Sequence, residues 1–517
     1  MSAPISPVVE ASSRQDLCEI EATVTSGFEV VALQDAVEKL GCKVVRGRGR
    51  IFIHIPVKQA EKVLQLGGVD NLYVVVKRYE DFNFSKDQEE VMKQIKGIVP
   101  EVNWELGLHV WSKFIKFAHQ VSPHPIDPSA CQSQISIQKQ QPVSQPKVII
   151  QQKNGDKDCL NSKQNSNVTE VAPHSGDCFF SSKQDDAVHS DTDHSVMGKP
   201  TSQCSILTTR LKQALRTTPL DNSDEPAAKK KRTFNPNLPK FRATCYRTGN
   251  NHSFQSMEAA SQFGGTIQDY FGWNVDLKNH DLEVVLNIAD NDVYVTLGLT
   301  TESLHKRNIV DFGPTTLRTT IAYNMLRLSH ILPGDVVCDP MCGGGSISIE
   351  GAVNWPNAYH ICGDNHEKAW PRCQQNLDFV REKRRMKGRS SATCDVMKWD
   401  VTNLPLRDNT VDVFITDLPF GKRLGSTMDN RVLYPKALTE MARVCKPKTG
   451  RACLLTHDRR SIAKAMQAVS HLWHRGIVLW INIGGLAAGV YMLHRNADDG
   501  KKERKEARGG QNSAAGQ

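Results

Sequence analysis

A chain of 517 residues is too long for one ordinary core, so two to four domains are expected. Hydrophobic residues at 39% and charged residues at 23% describe a soluble globular protein that carries some polar, poorly folding sequence. The formal net charge of +9 points to an anionic partner without saying which.

The N-terminus, MSAPISPVVEASSRQDLCEIE, lacks a charged segment followed by an apolar stretch, so no secretory signal is expected. Residues 18–80 then alternate clearly. The pattern predicts a strand over 20–25, a helix over 30–40, strands over 43–45 and 51–55, a helix over 57–66 and a strand over 73–78. That β-α-β-β-α-β order is the one a ferredoxin-like domain has. Helical sequence continues through VMKQIKGIVP and WELGLHVWSKFIKFAHQ, giving a first module over 18–118.

Between 119 and 232 the composition collapses into Gln, Ser, Asn, Asp, Lys and Pro, with Phe179 and Phe180 as the only aromatics. Such a stretch buries too little apolar surface to offset its ordering entropy, and it reads as a disordered insertion. Order returns over 233–300. A strand is expected at 241–247, a helix over HSFQSMEAASQFGG with Ser253 as its cap, and short strands after it, two of them joined at Asn291-Asp292.

From 308 to 497 helices alternate with the apolar strands VVCD, YHICGD, VDVFITD and RACLLT, the pattern of a doubly wound, mostly parallel sheet. The helix TTLRTTIAYNMLRL places Leu317, Ile321, Met325 and Leu328 on one core-facing stripe. The only membrane candidate, 477–493, has a turn-like GGLAAG centre between two β-rich halves, and a buried antiparallel hairpin is the better reading. A charged tail closes the chain over 498–517. Fourteen cysteines are scattered singly with no CxxC pair, which fits a reduced, intracellular chain, and no metal site is assigned.

The chemistry concentrates in VVCDPMCGGGSISIEGA. A phosphate-cradling loop needs GxxxxGK[ST], and no such string occurs in this region. A dinucleotide fingerprint needs a third glycine where Ser348 stands. An adenosylmethionine site needs an acid at the strand end and glycines that let the backbone approach the ligand, and Asp339, Cys342, Gly343 and Gly345 supply that loop. Asp364, ending HICGD, can accept from both ribose hydroxyls. Asp400, in MKWD, can accept from the adenine amine, with Asp395 a weaker competitor for that role.

The fourth strand ends in DLPFG. An acid followed by Leu-Pro-Phe resembles the [DN]-P-P-[FY] motif of methyltransferases that act on exocyclic or amide nitrogens. The lone pair of an aryl amine is delocalised into its ring, so the nitrogen attacks poorly. Asp417 and a nearby backbone carbonyl can accept its two protons and fix the nitrogen in line. Pro419 shapes the turn, and Phe420 can stack on an extruded base.

Two longer stretches extend this resemblance. FRATCYRTGNNHSFQSMEAASQFGGTIQDYFGWNVDLKNHDLEVVLNI resembles a THUMP domain, a tRNA-binding module. FGPTTLRTTIAYNMLRLSHILPGDVVCDPMCGGGSISIEGA resembles the entry into a Rossmann-like class I methyltransferase domain. Together they are similar to the eukaryotic THUMP-domain tRNA guanine-N2 methyltransferases. The resemblance implies S-adenosyl-L-methionine as cofactor, methylation of a guanine N2 in the acceptor stem at position 6, and tRNA as partner; cytoplasmic residence is expected of a reduced, intracellular chain, with a nuclear pool if KKKR is an address. It also implies a small zinc-containing methyltransferase activator subunit. Leu418 departs from the motif, standing where its first proline would be.

Residues 226–250 carry seven Lys or Arg and no acid, interleaved with aromatics. Lys240, Arg242 and Arg247 are read as RNA contacts. For KKKR at 229–232 RNA contact, a nuclear address and a merely solvated stretch all remain open. REKRRMKGR at 381–389 either borders the cleft or is an exposed helix end.

Overall fold

The computed structural model describes residues 17–126, 234–249, 252–421 and 427–497. Most of the predicted insertion, KKKR within it, and the charged tail lie outside the described residues.

The first sheet opens with β1 (Leu17–Thr23), α1 (Glu29–Leu40), β2 (Lys43–Gly47), β3 (Arg50–Pro56) and β4 (Leu72–Tyr79). Along β3 the isoleucines Ile51, Ile53 and Ile55 are buried while their neighbours are half-exposed, the period-two pattern of a strand with one face on a core. The helix expected over 57–66 is instead a 3-10 segment, Val57–Gln65. Its buried residues Val57, Ala60 and Val63 recur every third position, the spacing that aligns on one side of a three-residue turn.

Two helices follow, α2 (Gln88–Gly97) and α3 (Trp104–Phe114), and the chain leaves helix at Ile115. After the insertion come β5 (Lys240–Thr248), α4 (Ser256–Phe271), β6 (Asn274–Val275), β7 (Leu282–Ala289) and β8 (Asp292–Gly298). Ser253 does not cap α4; Gln255 holds that position, without a side-chain bond. The β7–β8 turn is Asp290-Asn291, one residue earlier than expected, with Asp290 at φ +51°.

These segments form one sheet of eight strands, in the order β2-β3-β1-β4-β8-β7-β5-β6. The modules expected separately over 18–118 and 233–300 are therefore joined through the antiparallel β4–β8 pair. Left alone, the apolar β4 would offer an unpaired edge; β8 covers it. Ile126, inside the predicted insertion, donates its N–H to the Tyr270 carbonyl at 2.9 Å, so ordered packing extends to that point.

The second sheet is built from β9 (Val336–Asp339), β10 (Tyr359–Asp364), β11 (Cys394–Lys398), β12 (Val413–Asp417), β13 (Arg451–Thr456), β14 (Trp473–Ile483) and β15 (Leu486–Arg495). Its order is β11-β10-β9-β12-β13-β15-β14, parallel except for the closing β14–β15 hairpin. The 477–493 stretch is that hairpin, and no described helix is long and apolar enough to cross a membrane. Its helices are α5 (Thr319–Leu328), α6 (Ser346–Asn354), α7 (Ala369–Met386), α8 (Thr427–Val444) and α9 (Arg459–Ala468).

Helix α5 faces two ways. Ile321 and Met325 enter the core as predicted, while Thr320, Tyr323 and Asn324 bond to the first sheet's module. The Tyr323 hydroxyl donates to Asp35 at 2.8 Å, and the Asn324 amide donates to the Gly68 carbonyl at 3.1 Å. Glycine is needed at 67, because a Cβ there would lie 2.2 Å from the Tyr323 ring. A second junction forms at the hairpin, where Asn482 donates its N–H to the Ser26 carbonyl at 3.0 Å. One continuous hydrophobic cluster runs through both sheets, so the two halves have a fixed relation.

Candidate active site

The strand order reverses between β9 and β12: β9 leads to β10 on one side, while β12 lies on the other. Crevices at such switch points, outside the carboxyl ends of parallel strands, are where doubly wound sheets bind ligands. Here the pairing of β12 with β9 stops at Phe414↔Cys338, while β12 stays paired with β13 as far as Asp417↔Leu455. The two strands therefore part just before their ends, with Asp339 on one lip and Asp417 on the other.

On the β9 side, Gly343 and Gly345 have φ of +52° and +86°, the left-handed region that favours glycine. A Cβ at Gly343 would meet nothing within 4 Å, so the backbone there faces open space. Asp364 anchors the loop: one carboxylate oxygen accepts from Gly343 N–H at 3.0 Å and the other from His366 N–H at 2.9 Å. Asp339 is buried and accepts from Met341 N–H at 3.3 Å; burial pushes its carboxyl well above the usual carboxylate range. It shapes the root of the loop. Cys342 works through its backbone, donating to the Gly363 carbonyl at 3.0 Å and accepting from Gly345 N–H at 2.8 Å. Its sulfur turns inward, away from the role of ligand contact expected for it.

Asp400 lies just beyond β11, exposed, accepting from Thr402 N–H at 2.8 Å. Asp395 pairs opposite Ile361, three positions before Asp364, and bonds to the Tyr359 hydroxyl. It sits toward the amino ends of the parallel strands, which leaves Asp400 as the acid at their carboxyl ends.

On the β12 side, Asp417 Oδ1 is buried and has no hydrogen-bond partner among the described residues. Burial alone pushes its carboxyl up to about 7. An unpartnered buried carboxylate is costly, and such groups cluster where a ligand is to supply the partner. Pro419 offers its carbonyl to two buried donors, the Asn430 amide at 2.9 Å and the Tyr434 hydroxyl at 2.5 Å. Tyr434 also contacts the Thr456 hydroxyl at 2.9 Å, and Asn430 donates to Asp458 at 3.1 Å. Phe420 is half-buried, its ring 6.2 Å from that of His457. His457 is in turn tied through Nδ1 to the Ala487 carbonyl at 2.7 Å.

Sequence reasoning missed Asn430, Tyr434, Thr456 and His457. The available signal was THD at the end of β13, the strand beside the one that carries DLPF.

The basic residues on β5 do not share one face. Lys240 and Arg242 alternate with Arg247, so the strand's parity points them to opposite sides. Arg242 is held by Glu283, with Nη2 2.7 Å from the carboxylate. Arg247 lies beside His252 and over the Phe254 ring, and Lys240 lies over Phe234. The 381–389 run is the end of α7 and the turn after it. Arg381 and Arg384 there bond to the nearby carbonyls of Ala392 and Ser390, so this is a helix end rather than a cleft border.

Residues 306–488 match the RMKL-like methyltransferase domain family, and residues 226–297 match the THUMP domain. The human tRNA (guanine(6)-N(2))-methyltransferase THUMP3 is 40% identical over 94% of this chain and 89% of its own length. This chain belongs to the THUMP-domain tRNA guanine-N2 methyltransferase family. A second relative, the human U6 snRNA (guanine-N(2))-methyltransferase THUMPD2, is 31% identical over 42% of the chain and 41% of its own length. Among solved structures, TrmN from Thermus thermophilus superposes with a TM-score of 0.55. It shares 17% identity and covers 92% of this chain and 99% of its own. At that identity the likeness is one of fold alone.

Proposed function

We infer that this chain transfers a methyl group from S-adenosyl-L-methionine to the exocyclic N2 of a guanine in the tRNA acceptor stem, at position 6. The observation that carries the inference is the unpartnered, buried Asp417 carboxyl at the parting of β9 and β12. The near full-length likeness to an enzyme named for that reaction supports the choice of RNA and of position.

The cofactor supplies an electrophilic methyl group on a sulfonium. The glycine loop fits it: Gly343 leaves room for close approach, and Asp364 keeps lone pairs for a diol while it holds the loop. Asp400 is the acceptor for the adenine amine. Asp417 accepts one proton of the guanine amine, turns the nitrogen lone pair out of the ring plane, and takes that proton as positive charge develops. Both lone pairs of the Pro419 carbonyl are occupied by Asn430 and Tyr434, so the second amine proton is assigned to the Leu418 carbonyl. Phe420 and His457 supply ring surfaces for the extruded base.

Lys240, Arg242 and Arg247 are proposed to contact RNA phosphate, Arg242 only at the cost of sharing itself with Glu283. The zinc-containing activator subunit rests on the family resemblance, and cytoplasmic residence on the singly scattered cysteines of a reduced chain. Nucleoside mass spectrometry tests the assignment: unmodified tRNA is incubated with cofactor, chain and activator, then digested. N2-methylguanosine at position 6 is expected, and it is expected to vanish in Asp417→Ala. Equal product from both proteins would remove Asp417 from the chemistry.

A further inference from the structure

Behind the glycine loop lies a cluster of thiols with no part in the chemistry above. Cys342 comes from the loop, Cys362 from β10, Cys373 from α7 and Cys394 from the start of β11. The sulfurs of Cys342, Cys362 and Cys373 all lie within 4.8 Å of one another. Cys362 Sγ is 3.7 Å from Cys373 Sγ and 3.8 Å from Cys394 Sγ. All four residues are buried, at 7%, 0%, 0% and 2% exposure.

Thiolates about 2.3 Å from a tetrahedral ion stand about 3.8 Å apart, since a tetrahedron's edge is about 1.6 times its centre-to-corner distance. The Cys362 spacings match that edge. The four sulfurs come from four separate elements and converge within an apolar surround that includes Ile349, Ala352, Leu377 and Val380. We propose that Cys342, Cys362 and Cys373 bind a soft divalent metal of the zinc class, with Cys394, 3.8 Å from Cys362 but outside that 4.8 Å group, turning in as the fourth sulfur. Binding exchanges each ligand's thiol proton for a metal–sulfur bond, with no change of oxidation state.

Such an ion fastens together the elements that carry the donor-side residues. A Cβ at Gly345 would lie 2.4 Å from Cys373 Sγ, so the loop sits directly on the cluster. Sequence separations of 11 and 32 residues from Cys362 to its sulfur neighbours Cys373 and Cys394 are unlike the short ligand spacings of zinc ribbons, so only the fold discloses the set.

The test uses the full chain, without any partner, expressed in zinc-replete medium and purified without chelator. Plasma mass spectrometry is expected to find about one zinc per chain, lost in Cys362→Ser and Cys373→Ser. Serine at a buried position can also disturb folding, so the unsubstituted chain is stripped of metal and titrated with Co²⁺. An intense sulfur-to-cobalt charge-transfer band saturating at about one equivalent is expected. Zinc content that survives Cys362→Ser, a disulfide within the cluster, or a metal-free chain that gives no charge-transfer band would each overturn the proposal. In the last case the cluster is a thiol core.

Discussion

Asp364 accepts the backbone N–H of Gly343 at 3.0 Å, so the acid that closes β10 also holds the loop that follows β9. Loop position and ribose recognition thus depend on one carboxylate. Its other oxygen steadies His366 N–H, which fixes the rotamer before any ligand arrives.

Asp364→Ala is expected to weaken donor binding about 10- to 100-fold, the loss of charge-assisted hydrogen bonds worth roughly 1.5–3 kcal/mol. Affinity for tRNA should hold. Calorimetric titration with S-adenosylhomocysteine measures the first and filter binding the second; unchanged donor affinity would refute the assignment.

Asp417 predicts a pH dependence. Its carboxyl, pushed up to about 7 by burial, must be ionised to accept an amine proton. kcat/KM should therefore rise with pH through about 7 and level off above it, as the free enzyme's base requires. Stability runs the other way. The folded value lies above the unfolded one of about 3.9, so this group's contribution is full below about pH 4 and lost as pH rises through 7. Asp417→Asn should remove that slope, worth roughly 2–3 kcal/mol between pH 5 and 8, in denaturant melts compared at those two values. Parallel curves for the two proteins would show that the carboxyl is not held neutral.

Tyr434→Phe deletes the hydroxyl that bonds the Pro419 carbonyl and Thr456. About 1 kcal/mol of stability should be lost. kcat should fall several-fold with little change in KM for tRNA, because the DLPF turn is loosened while the RNA-binding sheet is untouched. Steady-state kinetics on a tRNA transcript, normalised to the donor-binding sites counted by titration with S-adenosylhomocysteine, checks this; a kcat per site equal to that of the unsubstituted chain would refute it.

Gly345→Ala places a Cβ 2.4 Å from Cys373 Sγ at a φ of +86°. Steric and backbone strain together should cost about 2–4 kcal/mol and abolish donor binding in whatever chain remains folded. Thermal melting with and without S-adenosylhomocysteine checks both. A ligand-induced rise in melting temperature equal to that of the unsubstituted chain would contradict the expectation.

Arg247→Ala should weaken tRNA binding and make its salt dependence shallower by about one phosphate contact. Arg242→Ala should do less to the salt slope and more to stability, because it strands the Glu283 carboxylate that it now neutralises. Binding isotherms at several salt concentrations separate the two, and equal slopes for both variants would mean that Glu283 does not hold Arg242 back from the RNA.

The sequence by itself determined the alternation in both sheets, the β14–β15 hairpin, the glycine loop and the acid of DLPF. Each of these is a local pattern: side-chain period follows from strand geometry, and left-handed backbone demands glycine within a few residues. Tertiary structure decided what depends on strand order. It joined β4 to β8 and so merged two expected modules, sent Arg242 and Arg247 to opposite faces, and preferred Asp400 to Asp395. It also brought Asn430, Tyr434 and His457 around the DLPF turn and gathered four cysteines whose spacing follows no motif. Contacts between elements far apart in the chain are set by which strands pair and where they part, and no window along the sequence contains that information.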